Sequence, residues 1–384
     1  MFEKRPGFPG WPITKADLDP YYADAVGFNH LYGDYGCDGL NFTAVFFAAE
    51  MQKQGIDARV PRIENFNPEM YQFMGKQWLN FATRTFENGT TISDSSARVI
   101  VNASVLNIVE QNGSVQYLNV ASMNDDMSNP QKDTEFTVTA DIYLLACGAV
   151  ANARQLLLSG IGNSLVGRYF MCHPLSRGNI IQTTSTYMTP AEHNLMNGTD
   201  WTDPTGNGVN ITGRFIADEN IAKEHEIGRC WFWARNQYQS SQMFFEMTPN
   251  YDSFISLNDT TDPVFGQQQT HIHWELNDND QKTYETNCNL FNQAISQHSG
   301  SISWPGWEEA RSQWTVNGHH IGTTRMSASH RPDEGVVDQN LKIHGIDNMY
   351  VAGSSVFPSA GISNPTMTII ALSLRLAGKI HSEL

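Results

Sequence analysis

Positive charge is scarce in this chain of 384 residues: 24 Lys and Arg stand against 40 Asp and Glu, a formal net charge of −16. Nucleic acid and anionic membrane surfaces both reward basic patches, so neither is an expected partner. Long apolar runs are missing too. A spanning helix needs roughly 18 consecutive apolar residues, and TMTIIALSLRLAGKI near the end is broken by Arg375. The five cysteines (Cys37, Cys147, Cys172, Cys230, Cys288) are scattered, with neither a disulfide framework nor zinc-site spacing, and no residue is assigned to a metal. Cys147 and Cys172 follow apolar stretches and are expected to be buried small hydrophobes. The opening, MFEKRPGFPGWPITK, has no apolar h-region, and there are no internal repeats or low-complexity tracts. A G-x-G-x-x-G turn, which lays a dinucleotide pyrophosphate on a helix N-terminus, is also absent. GIGNSLVG, from Gly160, follows a helix rather than a strand and has a different spacing.

What is present describes a globular protein too long for a single core, so two domains are expected. A short helix is expected near Thr14, whose hydroxyl can cap while Asp17 suits the positive end of the first turn. FTAVFFAAEMQKQ, residues 42–54, has apolar residues at helical spacing. From residue 97 the period becomes two: ARVIVNASVLNIVE and SVQYLNVAS flank the turn Gln111-Asn112-Gly113 as a hairpin. FTVTADIYLLACGA reads as one strand ending in a run buried on both faces. It leads through Gly148 into the helix VANARQLLLSG, whose N-terminus can receive a phosphate or carbonyl. Residues 164–315 are rich in Asn, Gln, Thr and Trp and read as a second domain on a mainly antiparallel sheet, with a long helix at DNDQKTYETNCNLFNQAIS. Residues 316–384 return to α/β character.

The densest chemistry lies between His319 and Thr366. NGHHIGTTRM places His319 beside His320, and SSVFPSAGISNPT precedes a terminal helix. Asn364 is expected to cap that helix, with Pro365 at its first position. The helix is apolar on nearly all faces and is expected to be buried.

These residues resemble the C-terminal signature of the glucose–methanol–choline (GMC) flavoprotein oxidoreductases: His319-x-x-Gly322-Thr323, then GVVDQNLKIHGIDNMYVAGSSVFP, then NPTMTIIAL. GWPITKADLDPYY, VIVNASVLNIV, and YLLACGAVANARQLLLS followed by VGRYFMCHP resemble upstream family segments more loosely. The resemblance implies an α/β FAD-binding domain, incomplete here, with a second α+β substrate domain. Residues 1–163 would be the remainder of the FAD-binding domain, 164–315 the substrate-binding domain, and 316–384 the return carrying the catalytic pair. It implies FAD as cofactor, and Val105, Gly148, Ala352, Gly353, Asn364, Pro365 and Thr366 as its contacts. It also implies a chain that begins after the ADP-binding unit, so that a partner chain or an upstream segment completes the FAD site.

The implied activity is oxidation of a primary or secondary alcohol or a sugar hydroxyl. Hydride goes to flavin N5, His319 is the proton acceptor, and Asn364 fixes the hydroxyl. Substrate contacts are expected from His273 and His320. His320 reads equally as a structural residue, and His271 and His273, alternating in HIHWE, suit a pocket better than a metal. Two rival readings are a non-catalytic chain that cannot hold FAD alone and a lyase on the same fold.

Overall fold

The structure is a computed structural model that describes residues 2–28, 44–53, 55, 57–60, 64–72, 79–80, 85–86, 98–124, 126, 128–180, 189, 191–192, 200–202, 208–235, 240–297, 301–314 and 318–384. Within them, helices combine with largely antiparallel sheets around two main apolar clusters.

The first cluster gathers the chain's two ends and its centre. Thr14 and Asp17 bond reciprocally, Thr14 N–H and Oγ1–H both donating to the Asp17 carboxylate at 2.7 and 2.8 Å. They close a turn, and the helix proper runs over Asp19–Phe28. The helix expected over 42–54 spans Ala44–Lys53; residues 42, 43 and 54 lie outside the described residues. The hairpin forms from Ala103–Gln111 and Ser114–Met123, with Asn112 and Gly113 at φ 53° and 81°, the left-handed pair that a tight two-residue turn requires. Val99, Ile100 and Val101 do not join the strand; Val101 is 68% exposed.

The single strand expected over FTVTADIYLLACGA is two. Lys132–Val138 pairs antiparallel with the hairpin, whereas Tyr143–Leu145 pairs in parallel with Met349–Val351. The Tyr143 hydroxyl accepts from Ala140 N–H and donates to Gln116 C=O, pinning the bend between them. Burial on both faces is not observed either, because Leu144 is 52% exposed. Helix Gly148–Ser159 follows. It ends at Gly160 in the left-handed region, where Gly160 and Ile161 N–H close on Leu157 and Leu156 carbonyls.

The second cluster lies under a seven-stranded sheet. Its order is Phe66–Gln72, Gly208–Ala217, Cys230–Arg235, Ser240–Phe245, Leu175–Ile180, Ile302–Ser303, with Asp200–Thr202 beside Gly208–Ala217. Phe66–Gln72 thus enters this sheet from the N-terminal part of the chain. Helix Asp278–Ser296 starts on a capping box between Asn277 and Asp280 and covers one face, stacking Phe291 on Phe232 at 3.9 Å. The hairpin Phe254–Thr261 and Gln268–His273 is a separate two-stranded sheet packed near helix Gly148–Ser159.

The terminal helix, Thr366–Glu383, is less enclosed than its composition suggests: Ala371, Leu372 and Leu376 are buried, while Ile369, Ile370 and Leu374 are half-buried. Its partner is the Asp19–Phe28 helix, where Tyr22 and Thr368 hydroxyls meet at 2.8 Å. Its cap position is taken by Pro365, at φ −76° and ψ −9°, with no side-chain cap bond. The cap expected of Asn364 is therefore not formed. Proline's fixed φ and missing N–H suit that turn without one.

Candidate active site

Backbone register sets the centre of the site. Met171 and Ile321 exchange two hydrogen bonds of 2.9 Å as an isolated antiparallel bridge. Two residues out from this pair, on opposite strands, stand His173 and His319. Residues in that relation share a face and lie opposite one another. Their rings meet with Nδ1 to Nδ1 at 3.0 Å and an interplanar angle of 84°. The close approach depends on Gly322, at φ +94°: a Cβ there would lie 2.3 Å from the Tyr169 carbonyl oxygen. Thr323 Oγ1–H donates to Ala149 C=O at 2.6 Å, and Gly322 N–H to Ser354 C=O at 3.1 Å. The Gly-Thr pair thereby stitches His319 to both glycine-led segments.

Behind His173 lies a buried polar relay. Its Nε2 is 2.9 Å from Gly361 C=O, and Gly361 N–H donates to Glu246 at 3.1 Å. Glu246 is fully buried and takes both of its 2.8 Å contacts with Arg5 from one guanidinium nitrogen. Burial, reinforced by the neighbouring His319, pushes His173 down to about 4. His319 also lies below the ordinary imidazole range, first through burial, then through the Arg214 guanidinium and His320. Arg214 sits over the Trp231 ring at 3.8 Å, on the sheet face opposite helix Asp278–Ser296.

A second group of expected residues comes together where two parallel strands end. Ala352 N–H donates to Leu145 C=O at 2.8 Å, bringing Gly148 and Gly353 onto neighbouring chain segments. Asn152, buried in the helix between them, ties the two: it accepts from Cys147 N–H at 2.8 Å and donates to Ala352 C=O at 3.0 Å and Ser355 Oγ at 2.9 Å. Gly148 and Gly353 both have positive φ, 82° and 102°, and a Cβ on Gly148 would meet nothing within 4 Å. Cys147, expected to be buried, is exposed here because the chain leaves the sheet at this point; Cys172 is buried as expected.

The other expected residues divide. Val105 is half-buried on the hairpin and packs on the first cluster. Pro365 is buried at the start of the terminal helix, and Thr366 is exposed. Asn364 is exposed, and no hydrogen bond joins it to His319 among the described residues. His320 turns its ring toward Phe170, 5.6 Å away, while its carbonyl accepts from Ser354 Oγ. His273 does not reach the seven-stranded sheet. It lies on the separate hairpin, half exposed, 3.5 Å from Glu275 and beside Phe254, so the substrate contact expected of it has no support. Among the described residues no cluster of His, Cys, Asp and Glu can hold a metal.

His173, Asn152, Arg214 and Glu246 were not picked out from the sequence. Glu246 had a signal: an acid inside the run FFEM is expected to be a paired, buried charge. For His173 the signal was the HP of FMCHP, but its register with His319 is invisible in one dimension.

Residues 249–373 match the family model described as GMC oxidoreductase. This stretch is a GMC oxidoreductase domain. The GMC match covers His319, the Gly322-Thr323 pair and the loop before the terminal helix. The chain is 39% identical over 66 residues to a C-glycoside 3-oxidase of Arthrobacter globiformis, 17% of this chain and 12% of that enzyme. It is 23% identical over 272 residues to a 2-methyl-1,2-propanediol dehydrogenase of Mycolicibacterium austroafricanum, 62% of this chain and 47% of that enzyme. The aligned chain thus spans less than half the length of either relative. In fold it is similar to the crystal structure of pyridoxine 4-oxidase from Mesorbium loti, with a TM-score of 0.53, 15% identity, and coverage of 96% of this chain and 77% of that one. No helix among the described residues is long and apolar enough to cross a membrane.

Proposed function

We propose that the chain carries the catalytic half of an FAD-dependent oxidation of a primary or secondary alcohol or a sugar hydroxyl, with His319 as proton acceptor. The observation that carries this reading is His319 itself. It is partly enclosed, held below the usual imidazole range, and fixed opposite a second histidine by backbone register. An imidazole kept neutral near pH 7 has a lone pair ready for a hydroxyl proton.

The residues present fit a flavin nucleotide. Two segments leave the carboxyl ends of paired parallel strands, where open α/β sheets receive ligands, and both begin with a positive-φ glycine; Gly148 also has open space where a Cβ would sit. Gly148, Ala352, Gly353, Pro365 and Thr366 would hold the cofactor, with Val105 on the hairpin and the Asn364 backbone. When bound, FAD supplies the two-electron acceptor for the hydride released from the carbinol carbon. His319 takes the hydroxyl proton, which lets the C–H bond give up its electron pair. Asn364, whose side chain is not used as a cap, has an amide available to fix the hydroxyl oxygen.

The test begins with the purified chain and added FAD. Retention of the flavin bands, followed by their anaerobic bleaching on mixing with one member of a panel of alcohols and sugars, supports the reading. His319→Ala should slow that bleaching by about 10²- to 10⁴-fold. Flavin that is retained and bleached by dithionite, yet by no alcohol or sugar, overturns the reading. Absence of retained flavin leaves the chain with the role of a half-site.

A further inference from the structure

The hydrogen bonds around His173 determine where the proton on His319 resides. His173 Nε2 faces the Gly361 carbonyl oxygen at 2.9 Å. A carbonyl only accepts, so Nε2 carries a hydrogen. His173 is 1% exposed and, with a pKa near 4, uncharged at neutral pH, which makes its Nδ1 a bare lone pair. That lone pair stands 3.0 Å from Nδ1 of His319. Two unprotonated nitrogens have nothing to share at that distance, so His319 Nδ1 is the donor. The Nε2 of His319 is then left without a hydrogen.

We propose that His173 is a positioning residue: anchored on the Gly361 carbonyl, it locks His319 in the Nδ1–H tautomer, whose Nε2 lone pair accepts the substrate's hydroxyl proton. Without such a lock the proton is free to occupy either nitrogen, and a ring protonated at Nε2 presents a donor where an acceptor is needed. When His319 takes the hydroxyl proton on Nε2, it becomes an imidazolium whose Nδ1–H still points at the His173 lone pair. No atom of His173 is gained or lost. Among the described residues, the charged and titratable groups that act on the pair include Glu246 and His319 for His173, and Arg214 and His320 for His319. Glu246 is already engaged by Arg5 and by the Gly361 N–H. The relay therefore runs from a buried ion pair, through the backbone N–H and C=O of Gly361 and one neutral imidazole, to the base.

The catalytic meaning of this lock rests on the alcohol-oxidation reading, but the tautomer is measurable with no flavin and no substrate. The experiment is long-range ¹H–¹⁵N correlation NMR of the full chain labelled with ¹⁵N-histidine at neutral pH. The His319 and His173 signals are assigned by their loss in His319→Gln and His173→Asn. The expected result is a protonated Nδ1 and bare Nε2 on His319, with the opposite pattern on His173. In His173→Asn the amide oxygen stands near the former Nδ1, and the His319 tautomer should be retained. In the isosteric His173→Leu it should be lost to a mixture of forms, with the His344 signals as a check that the fold persists. A wild-type His319 protonated at Nε2, or a His173 protonated at Nδ1, overturns the proposal. So does an unchanged His319 tautomer in His173→Leu. A flavin-free or inactive chain with the expected tautomers would count against the oxidation reading and leave the lock standing.

Discussion

Along strand Cys230–Arg235, Phe232 turns to one side of the sheet while Trp231 and Trp233 turn to the other. Phe232 lies flat against Phe291 of the covering helix, with Phe215, Met243 and Phe245 as buried companions. Trp231 instead donates its Nε1–H to Ile362 C=O at 2.8 Å and carries the Arg214 guanidinium on its ring. One face is mainly buried apolar area, with a few side-chain contacts such as Cys230 to Asn287 inside it. The other keeps polar atoms that reach across to the loop before the terminal helix, the same loop whose Gly361 holds His173. Alternation along a strand is thus used to separate packing from chemistry within single strands. Mutations one residue apart should therefore have unlike consequences.

The largest effect is expected on the packed face. Phe232→Ala removes a fully buried ring and should cost about 3–5 kcal/mol in chemical denaturation. A loss under about 1 kcal/mol would mean that this face is not the sheet's structural side. Next comes the histidine relay. Burial lowers His173 from 6.5 to about 4. A folded value below the unfolded one means that the folded state binds fewer protons. Its contribution is fully present above pH 6.5 and is lost as pH falls through about 4. The shift corresponds to about 3 kcal/mol. Acid titration of stability should show this loss in the wild type and a flatter curve in His173→Asn. Equal slopes would remove His173 from the buried relay. The smallest effect is expected from Trp231→Phe, which keeps an aromatic ring but loses the pyrrole N–H and leaves the Ile362 carbonyl without its donor, at about 1–2 kcal/mol. Amide exchange should quicken in residues 353–365 and stay unchanged in helix Asp278–Ser296. A uniform change would erase the contrast between the two faces.

Local elements were readable where local chemistry sets them. Asn112-Gly113 turned the hairpin because both positions require positive φ, and the capping box at Asn277 and Asp280 started the long helix where its pattern predicts. Reading failed where a partner elsewhere decides. Apolar continuity made FTVTADIYLLACGA look like one strand, but its halves pair with segments far apart in the chain. Asn364 looked like a cap because the residue types fit, yet Pro365 occupies the position and the amide stays exposed. His271 and His273 alternate as on a sheet floor, but their hairpin belongs to another sheet. At the candidate site, His319 and the glycines at 148 and 353 are expectations that the family resemblance carries, whereas nothing within FMCHP gives His173 a role.

By itself, the sequence determined the charge class, the Asn112-Gly113 turn, the start of the long helix at Asp278 and the motif that marks His319, because each depends on residues within a few positions of one another. Only the tertiary structure decided which histidine faces His319, and that Asn152 joins the segments at Gly148 and Gly353. It alone showed a buried Glu246 standing behind Gly361. The reason is register. His173 and His319 are neighbours because Met171 and Ile321 pair although most of the seven-stranded sheet lies between them in the sequence, and that pairing is chosen by packing of the whole core. A protein with the same residues and a slip of one position would place the two side chains on opposite faces.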